Sequence, residues 1–279
     1  MNKDTQRAKA EAFRAMHDRK QVLVLVNAWD AGSARFIEDA GARAIASSSA
    51  GLAYSLGYSD GEYVPLDEFI GAIARIARVI KVPLSADIES GFGADEKGVG
   101  GTVRAIIEAG AVGINLEDST GERERPLYDI ESAVARVHAA RAAGEALGVP
   151  LVINARSDAL VTLKGERGAI LDEAIKRCNA YRAAGADSLF PLGLEGEAEI
   201  SRATREINGP VNLIFRPNIP PLARLQELGI ARLSLGSAAA LAALTLTHQI
   251  AQEMFGAGTY PSMLGRGINY VEANKIMQS

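Results

Sequence analysis

The chain has little cysteine, no excess of basic charge and no long apolar run. One cysteine in 279 residues excludes an internal disulfide framework and a zinc cluster built from cysteines. A formal net charge of -4 gives no basic field that would attract nucleic acid or an anionic membrane. No apolar run approaches the ~20 residues of a membrane-spanning helix, and residues 1–20 lack the apolar core of a signal peptide. We therefore expect a soluble, cytoplasmic protein that binds neither nucleic acid nor membrane.

Short apolar or β-branched runs alternate with longer stretches that have helical spacing, such as residues 66–80. Continuous apolar strands separated by helices imply parallel pairing with both faces of the sheet covered. Eight such units predict a (β/α)8 TIM-type barrel. A doubly wound open sheet is the alternative, but no G-x-G-x-x-G or P-loop motif follows the first strand. The predicted strands are residues 22–26, 43–47, 83–87, 112–117, 150–155, 187–190, 211–214 and 231–234.

The segment after Phe255 is an additional apolar element, with Tyr260, Leu264 and Val271 among its residues. We predict a single catalytic barrel over residues 1–255 and a helical C-terminal oligomerisation tail over residues 256–279, since an apolar element outside a closed barrel often serves assembly. A helix folded over the base of the barrel is the alternative interpretation.

Polar side chains follow the second to fifth predicted strands, where active groups of a parallel barrel gather. Asp60, Asp87, Glu89 and Glu117 are expected to converge there, with Arg156 among them. Carboxylates packed together repel one another unless a cation lies between them, and oxygen ligands suit a hard divalent metal such as Mg²⁺. Arg156 then suits a substrate carboxylate, because its planar fork binds that group through two hydrogen bonds. Helix caps and surface ion pairs are the alternative roles of these acids.

Other catalytic constellations are not favoured. His17, His138 and His248 lie in predicted helical stretches, which argues against a histidine-based zinc site or a Ser-His-Asp triad. Cys178 lies within a helical pattern and is expected to be a passive helix residue. Trp29 follows the first strand, where it either packs in the core or forms a wall over the substrate.

Several ordered motifs resemble the isocitrate lyase/phosphoenolpyruvate mutase superfamily, and the resemblance covers about residues 20 to 240. The matching stretches are residues 27–31, 47–60 (SSSAGLAYSLGYSD), 85–93 (SADIESGFG), 113–119 (GINLEDS), 154–158 (NARSD) and 172–187 (DEAIKRCNAYRAAGAD).

The resemblance implies a barrel enzyme that acts on small 2-oxo or 2-hydroxy acids with Mg²⁺, or Mn²⁺ in its place. It implies a homotetramer, a dimer of dimers in which neighbours exchange a C-terminal helix. It also implies a role for each site residue: Asp87, Glu89 and Glu117 hold the metal directly or through water; Ser47, Ser48, Ser49, Trp29, Asp87 and Arg156 bind the substrate; and Arg156, Asp60 and Glu117 act in catalysis.

The loop of residues 120–126 (TGERERP) departs from the family pattern at the position of the lid. Isocitrate and methylisocitrate lyases carry a Lys-Lys-Cys-Gly-His lid whose cysteine is the acid/base, and this chain has no cysteine there. Arg123 and Arg125 either supply positive charge on closure or are solvated loop charges. We expect carbon–carbon cleavage of a small dicarboxylic acid through an enolate of the pyruvate type, with oxaloacetate decarboxylation favoured. The alternatives are methylisocitrate-type cleavage with another base, P–C bond chemistry, and a non-catalytic carboxylate-binding barrel.

Overall fold

The structure, a computed structural model, describes residues 2–265 and 267–278. Its strands lie where the alternating pattern predicts them, and all pair in parallel. They are β1 (Leu23–Leu25), β2 (Asn27–Ala28), β3 (Ile45–Ser47), β4 (Leu84–Asp87), β5 (Gly113–Glu117), β6 (Val152–Ser157), β7 (Ser188–Pro191), β8 (Asn212–Ile214) and β9 (Arg232–Ser234).

The strands close into a ring. β2 to β7 pair in sequence order, and β1 pairs with β9, which pairs with β8. β1 and β2 are two halves of one strand separated by Val26. This strand therefore connects the three-stranded group (β1, β9, β8) to the six-stranded group (β2 to β7). A parallel bridge between Leu189 and Val211 connects β7 to the strand region of β8. The predicted (β/α)8 barrel is therefore confirmed, with the strands buried between inner side chains and an outer layer of helices.

The helices follow the strands, and the predicted stripe over residues 66–80 forms α4, which buries Phe69, Ile73 and Ile76. In chain order the helices are α1 (Lys3–Ala15), α2 (Ala31–Asp39), α3 (Ser49–Leu56), α4 (Leu66–Val79), α5 (Glu96–Glu108), α6 (Ile130–Leu147), α7 (Ala159–Thr162), α8 (Arg167–Ala183), α9 (Gly196–Glu206), α10 (Leu222–Glu227), α11 (Ala238–Gly256) and α12 (Tyr270–Gln278).

Helix α1 covers the base of the barrel, where the strands begin. Gln6 on α1 donates to the carbonyl oxygens of Ile107 and Ala111 at 2.6 and 3.0 Å. Phe13 packs so closely on Gly113, the first residue of β5, that a Cβ atom there would lie 2.7 Å from the Phe13 ring. The base is thus covered by the N-terminal helix rather than by the C-terminal segment.

The C-terminal segment lies on the side of the barrel. α11 runs across the predicted boundary between residues 255 and 256 and buries only Ala240. α12 lies against α2, where the Arg35 guanidinium donates to the carbonyl oxygen of Ile276 at 2.8 Å. None of the described helices is both long and apolar enough to cross a membrane, and the cytoplasmic location stays a prediction.

Candidate active site

A cavity of about 150 Å³ opens at the carboxyl ends of the barrel strands, and every barrel strand contributes to its wall. This is the end at which parallel barrels place their active groups. Six of the predicted site residues line it: Ser47, Ser48, Ser49, Asp60, Asp87 and Arg156.

Asp87, at the end of β4, is held by a chain of side-chain amides. Its Oδ1 accepts from Asn115 Nδ2 at 2.8 Å, and Asn115 Oδ1 accepts from Asn154 Nδ2 at 2.8 Å. The Asp87 backbone amide donates to Ser47 Oγ at 2.9 Å. Because each donor is itself held by a neighbouring strand, the orientation of the Asp87 carboxylate is fixed before any ligand binds.

The serine segment, residues 47–49, passes from β3 into α3 at the cavity. The sequence pattern did not predict that a helix begins here. Ser48 is the N-cap of α3 and accepts from the Gly51 amide at 3.2 Å, and the Ser49 amide donates to Asp87 Oδ2 at 3.2 Å. The positive end of the α3 dipole therefore faces the cavity and favours a bound anion.

Trp29 packs against the start of α3 and does not line the cavity described above. A Cβ atom at Gly51 would lie 2.9 Å from Trp29 Cβ and 3.0 Å from Ala240 Cβ, so this approach requires a glycine. Trp29 is half-buried. Its role in substrate binding stays a prediction.

Arg156, on β6, is already paired inside the site. Its Nε and Nη2 donate to the two carboxylate oxygens of Asp158 at 2.6 and 2.7 Å, and its Nη1 lies 2.7 Å from Glu117 Oε2. Burial by itself would lower the pKa of Arg156. The negative charges of Glu117 and Asp158 have the larger effect, so the pKa of Arg156 is raised overall. Asp158 is anchored in turn, because its backbone amide donates to the buried Asp118 at 2.8 Å. The guanidinium therefore stays charged and in place, with two N–H groups free of these bonds.

Glu89, in the loop that follows β4, is hydrogen-bonded to the loop that follows α3. It has a φ of 51°, and its Oε2 accepts from the backbone amide of Glu62, whose φ is 60°. Glu62 Oε1 accepts from Ser90 Oγ at 2.7 Å and from the Phe92 amide at 2.9 Å. Left-handed backbone at residues other than glycine is uncommon and is often found at functional sites. Glu62 is thus a positioning residue that the sequence motifs did not identify.

Burial, and to a lesser extent mutual repulsion, disfavours the charged forms of the acidic side chains. Burial raises the pKa of Glu89 to about 8, and the charges of Asp60 and Asp87 add to this. Burial also raises the pKa of Glu117, against the opposing charge of Arg156. Partial burial of its carboxyl group at the mouth of the cavity, together with the charge of Asp87, raises the pKa of Asp60.

This donor set fits a hard divalent cation, because a cation would remove the repulsion between these carboxylates. In residues 2–265 and 267–278, no group of three or more His, Cys, Asp or Glu side chains is gathered closely enough to hold a metal ion by itself. Mg²⁺ in proteins usually keeps several waters and takes one or two carboxylates, so Asp87 with water-mediated contacts to Glu89 and Glu117 suits it. The assignment of these ligands stays a prediction.

Several residues considered in the sequence analysis lie outside the cavity. His17, predicted in a helical stretch, is buried just beyond the end of α1. Cys178 is buried in α8, where burial raises its thiol pKa, and His138 and His248 are exposed on helices. Arg125 and Glu122 lie 3.8 Å apart in the exposed loop, and neither Arg123 nor Arg125 lines the cavity.

The interpretation of the motifs missed polar residues deeper in the barrel. Asn115, Asn154, Asn212 and Arg232 line the cavity from inside strands. Polar residues within otherwise apolar strands are the signal that could have identified them.

A polar cavity that holds two carboxylates and two arginines at the carboxyl ends of a parallel eight-stranded barrel is typical of a barrel enzyme. The profile of the phosphoenolpyruvate phosphomutase family matches residues 13–255. The chain belongs to this family, within the isocitrate lyase/phosphoenolpyruvate mutase superfamily, and is an enzyme of the lyase and mutase class. The predicted superfamily is confirmed.

Two relatives with lyase activities are similar in sequence. The chain is 39% identical over 186 residues to 2-methylisocitrate lyase of Escherichia coli K12, covering 65% of this chain and 61% of that enzyme. It is 30% identical over 254 residues to oxaloacetate decarboxylase of Ectopseudomonas mendocina, covering 88% of this chain and 84% of that enzyme. The first match thus spans about three fifths of the E. coli enzyme.

Solved structures share the complete fold. A Burkholderia cenocepacia J2315 protein assigned as a lyase or mutase superposes with a TM-score of 0.90 at 37% identity, covering 99% of this chain and 98% of that chain. Phosphonopyruvate hydrolase in complex with oxalate and Mg²⁺ superposes with a TM-score of 0.82 at 26% identity, covering 97% of this chain and 95% of that chain.

Proposed function

We propose that this enzyme is an Mg²⁺-dependent lyase that cleaves a carbon–carbon bond in a small 2-oxo or 2-hydroxy dicarboxylic acid, with oxaloacetate decarboxylation favoured. The observation that carries the proposal is the amide-held Asp87 carboxylate beside the α3 N-terminus, in a cavity that Asp60 also lines. The small volume, about 150 Å³, favours a small acid, since ligand pockets usually reach roughly 300–1,000 Å³.

The chain's own residues would bind and orient the acid. Asp87 would hold the cation, with Glu89 and Glu117 acting through water. The N-terminus of α3, at Ser48 and Ser49, faces an anionic oxygen, and Arg156 offers its remaining N–H groups. When bound, Mg²⁺ would withdraw electron density from the 2-oxo group and so favour cleavage of the C3–C4 bond, whose electron pair passes into the enolate.

Decarboxylation of oxaloacetate releases CO₂ from C4, leaves the bonding electron pair as an enolate, and ends when C3 takes up a proton. Asp60, at the mouth with a raised pKa, is placed to hold that proton. This reaction needs fewer positioned acid/base groups than isocitrate-type cleavage, which suits a lid without cysteine.

A screen of 2-oxo and 2-hydroxy dicarboxylates, with phosphonopyruvate included, tests the proposal by measuring pyruvate release with and without Mg²⁺. Oxaloacetate also decays without enzyme, so an enzyme-free sample at the same Mg²⁺ concentration gives the blank. We expect Mg²⁺-dependent turnover that Asp87→Asn abolishes and that Asp67→Asn, an exposed acid on α4, leaves unchanged. Turnover that persists in Asp87→Asn would contradict the proposed site.

Methylisocitrate-type cleavage is the second candidate, and the 39% identity to the E. coli lyase favours it. Adding 2-methylisocitrate, a tricarboxylate, to the screen distinguishes the two, because its cleavage releases succinate together with pyruvate whereas decarboxylation of oxaloacetate releases CO₂. Calorimetry with oxalate, with and without Mg²⁺, separates both enzymes from a non-catalytic binder. Mg²⁺-dependent oxalate binding without any turnover would favour the non-catalytic barrel.

We also propose that the protein assembles by exchanging α11 between copies, as a homotetramer. A groove of about 770 Å³ runs over β1 between α2 and α10, with Val24, Phe36 and Leu222 exposed in it. A regular barrel would cover this face with the helix that follows the last strand. α11 instead leaves most of its length exposed, Leu241 and Leu244 included.

Light scattering of the full chain tests the assembly. We expect a tetramer for the wild type and smaller species for Phe36→Glu in the groove and Leu244→Glu on the helix. A matched surface change outside both faces, Arg104→Glu on α5, should leave the mass unchanged. A monomeric wild type would overturn this proposal.

A further inference from the structure

Arg232, the first residue of β9, is a buried arginine without a partner at the floor of the cavity. The residue is 2% exposed and lines the cavity from inside the barrel. Its Nε and Nη1 are buried without any hydrogen-bond partner, and no carboxylate of the described chain forms an ion pair with it.

Other deeply buried arginines of this protein are satisfied. Arg136 donates to the carbonyl oxygens of Ser90, Gly93 and Ala94, and Arg177 pairs with Asp118 and Glu173. Arg156, in the same cavity, has its charge shared between two carboxylates. A buried cation without a partner destabilises a fold. Arg232 is therefore unusual for a residue whose role is only structural.

Neighbouring groups do not neutralise Arg232. Burial lowers its pKa to about 10, with the charge of Asp87 opposing this, so it remains a cation at neutral pH. On the base side, burial and the charge of Arg232 lower the pKa of His17 to about 4. A neutral imidazole cannot compensate the guanidinium.

The floor around Arg232 is polar and incompletely bonded. Asn212, its register partner on β8, has a buried Oδ1 without a partner, although its Nδ2 donates to Ser234 Oγ at 3.3 Å. Asn154 Oδ1 and Ser85 Oγ, which belong to residues of the same cavity, also lack partners. The Arg232 guanidinium and the Ser85 hydroxyl can donate to a planar oxyanion, whereas the two amide oxygens can only accept and therefore suit water molecules that hydrate it.

We propose that Arg232 anchors, at the cavity floor, the carboxylate of the 2-oxo acid that keeps its charge throughout the reaction. This rests on the proposed function for the class of substrate. A cation paired with a departing carboxylate would stabilise the ground state and oppose the loss of that group as CO₂. The group at the floor is therefore the retained carboxylate, and the cleaved group faces the open mouth.

Pyruvate tests the assignment, because it carries only the retained carboxylate. Its dissociation constant, measured by calorimetry with Mg²⁺ present, needs no turnover. We expect affinity to fall by about 30-fold or more in Arg232→Met, the loss typical of a buried charged hydrogen-bonded pair, and by less in Arg232→Lys, which keeps the charge but not the fork.

The melting temperature of the ligand-free protein separates a binding role from a structural one. Replacing an unpaired buried cation with an apolar side chain of similar length should keep or raise the melting temperature in Arg232→Met. The matched control is Arg141→Met, which removes a satisfied arginine at the base of the barrel, where it donates to the carbonyl oxygens of Leu151 and Gly185. It should lower the melting temperature and leave pyruvate affinity unchanged.

Four outcomes distinguish the possibilities. Pyruvate affinity within threefold of the wild type in both Arg232 variants would overturn the proposal, as would wild-type affinity in Arg232→Lys if Arg232→Met does not fold. An equal loss of affinity for inorganic phosphate and for pyruvate would also overturn it, since the floor would then be a general anion site. Arg232-dependent pyruvate binding without turnover of any dicarboxylate would support this assignment while the proposed function fails.

Discussion

Arg156 binds both carboxylate oxygens of Asp158, at 2.6 and 2.7 Å, inside the candidate site. The two residues lie two positions apart at the end of β6. The Asp158 backbone amide donates to the buried Asp118, which anchors the pair. The arginine at the substrate cavity is thus fixed in direction before the substrate arrives, which limits the entropy lost on binding.

Arg156→Lys should lower kcat/KM by about 30-fold or more, because lysine cannot reproduce the two-pronged contact with Asp158 or the contact with Glu117. Steady-state kinetics with the substrate found in the screen measures this. The matched control is Arg167→Lys, which breaks a similar two-pronged pair with Glu199 outside the cavity. Equal kinetic losses in both variants would mean that the Arg156 pair has no special role in the site.

Asn115→Leu should weaken the response to Mg²⁺, since the substitution removes the hydrogen bond that orients Asp87. Outer-shell partners of metal ligands contribute about 10- to 100-fold in metal affinity. We therefore expect the Mg²⁺ concentration for half-maximal activity to rise by that factor. Asn179→Ala, which removes a comparable pair of hydrogen bonds on the outer surface, should not change it. An unchanged Mg²⁺ dependence in Asn115→Leu would remove the basis for placing the cation at Asp87.

His17 should make the protein less stable as the pH falls from 7 to 5. The unfolded chain takes up this proton near pH 6.5, whereas burial and the charge of Arg232 lower the pKa of the folded imidazole to about 4. The unfolded state therefore binds more protons in this window, which reduces the free energy of unfolding by about 2 kcal/mol between pH 7 and pH 5.

Urea titrations of the wild type and of His17→Gln at both pH values isolate this effect. The variant lacks the titrating imidazole. Between pH 7 and pH 5 its free energy of unfolding should therefore fall by about 2 kcal/mol less than that of the wild type. Parallel losses in the two proteins would show that His17 does not carry the pH dependence.

Two glycines should respond in opposite directions to replacement by alanine. At Gly113 a Cβ atom would lie 2.7 Å from the Phe13 ring and 3.1 Å from the Val152 carbonyl oxygen, so Gly113→Ala should destabilise the protein by about 1–3 kcal/mol. Gly101, inside α5, has open space around its Cα, so Gly101→Ala should stabilise it by about 0.5–1 kcal/mol. Chemical denaturation measures both. A stable Gly113→Ala protein would contradict the close packing of α1 on the base.

Local sequence patterns were sufficient to predict the strands and their order, because each apolar run and each glycine after a helix acts over a few residues. They also identified Ser47, Asp87 and Arg156, since polar residues at strand ends must share one rim once parallel pairing is assumed. The boundary at residue 255 stays a prediction. α11 begins at Ala238, and its apolar composition does not indicate which surface covers it.

What the sequence by itself determined is the barrel, its superfamily and the rim of acids, because these depend on periodicity and on motifs read in order. Only the tertiary structure decided that Asn115 and Asn154 hold Asp87, that Asp158 and Glu117 share Arg156, and that Arg232 is buried without a partner. These relationships join residues from different strands. Pairing and burial depend on the distance between side chains across the closed barrel, which no local pattern in the chain specifies.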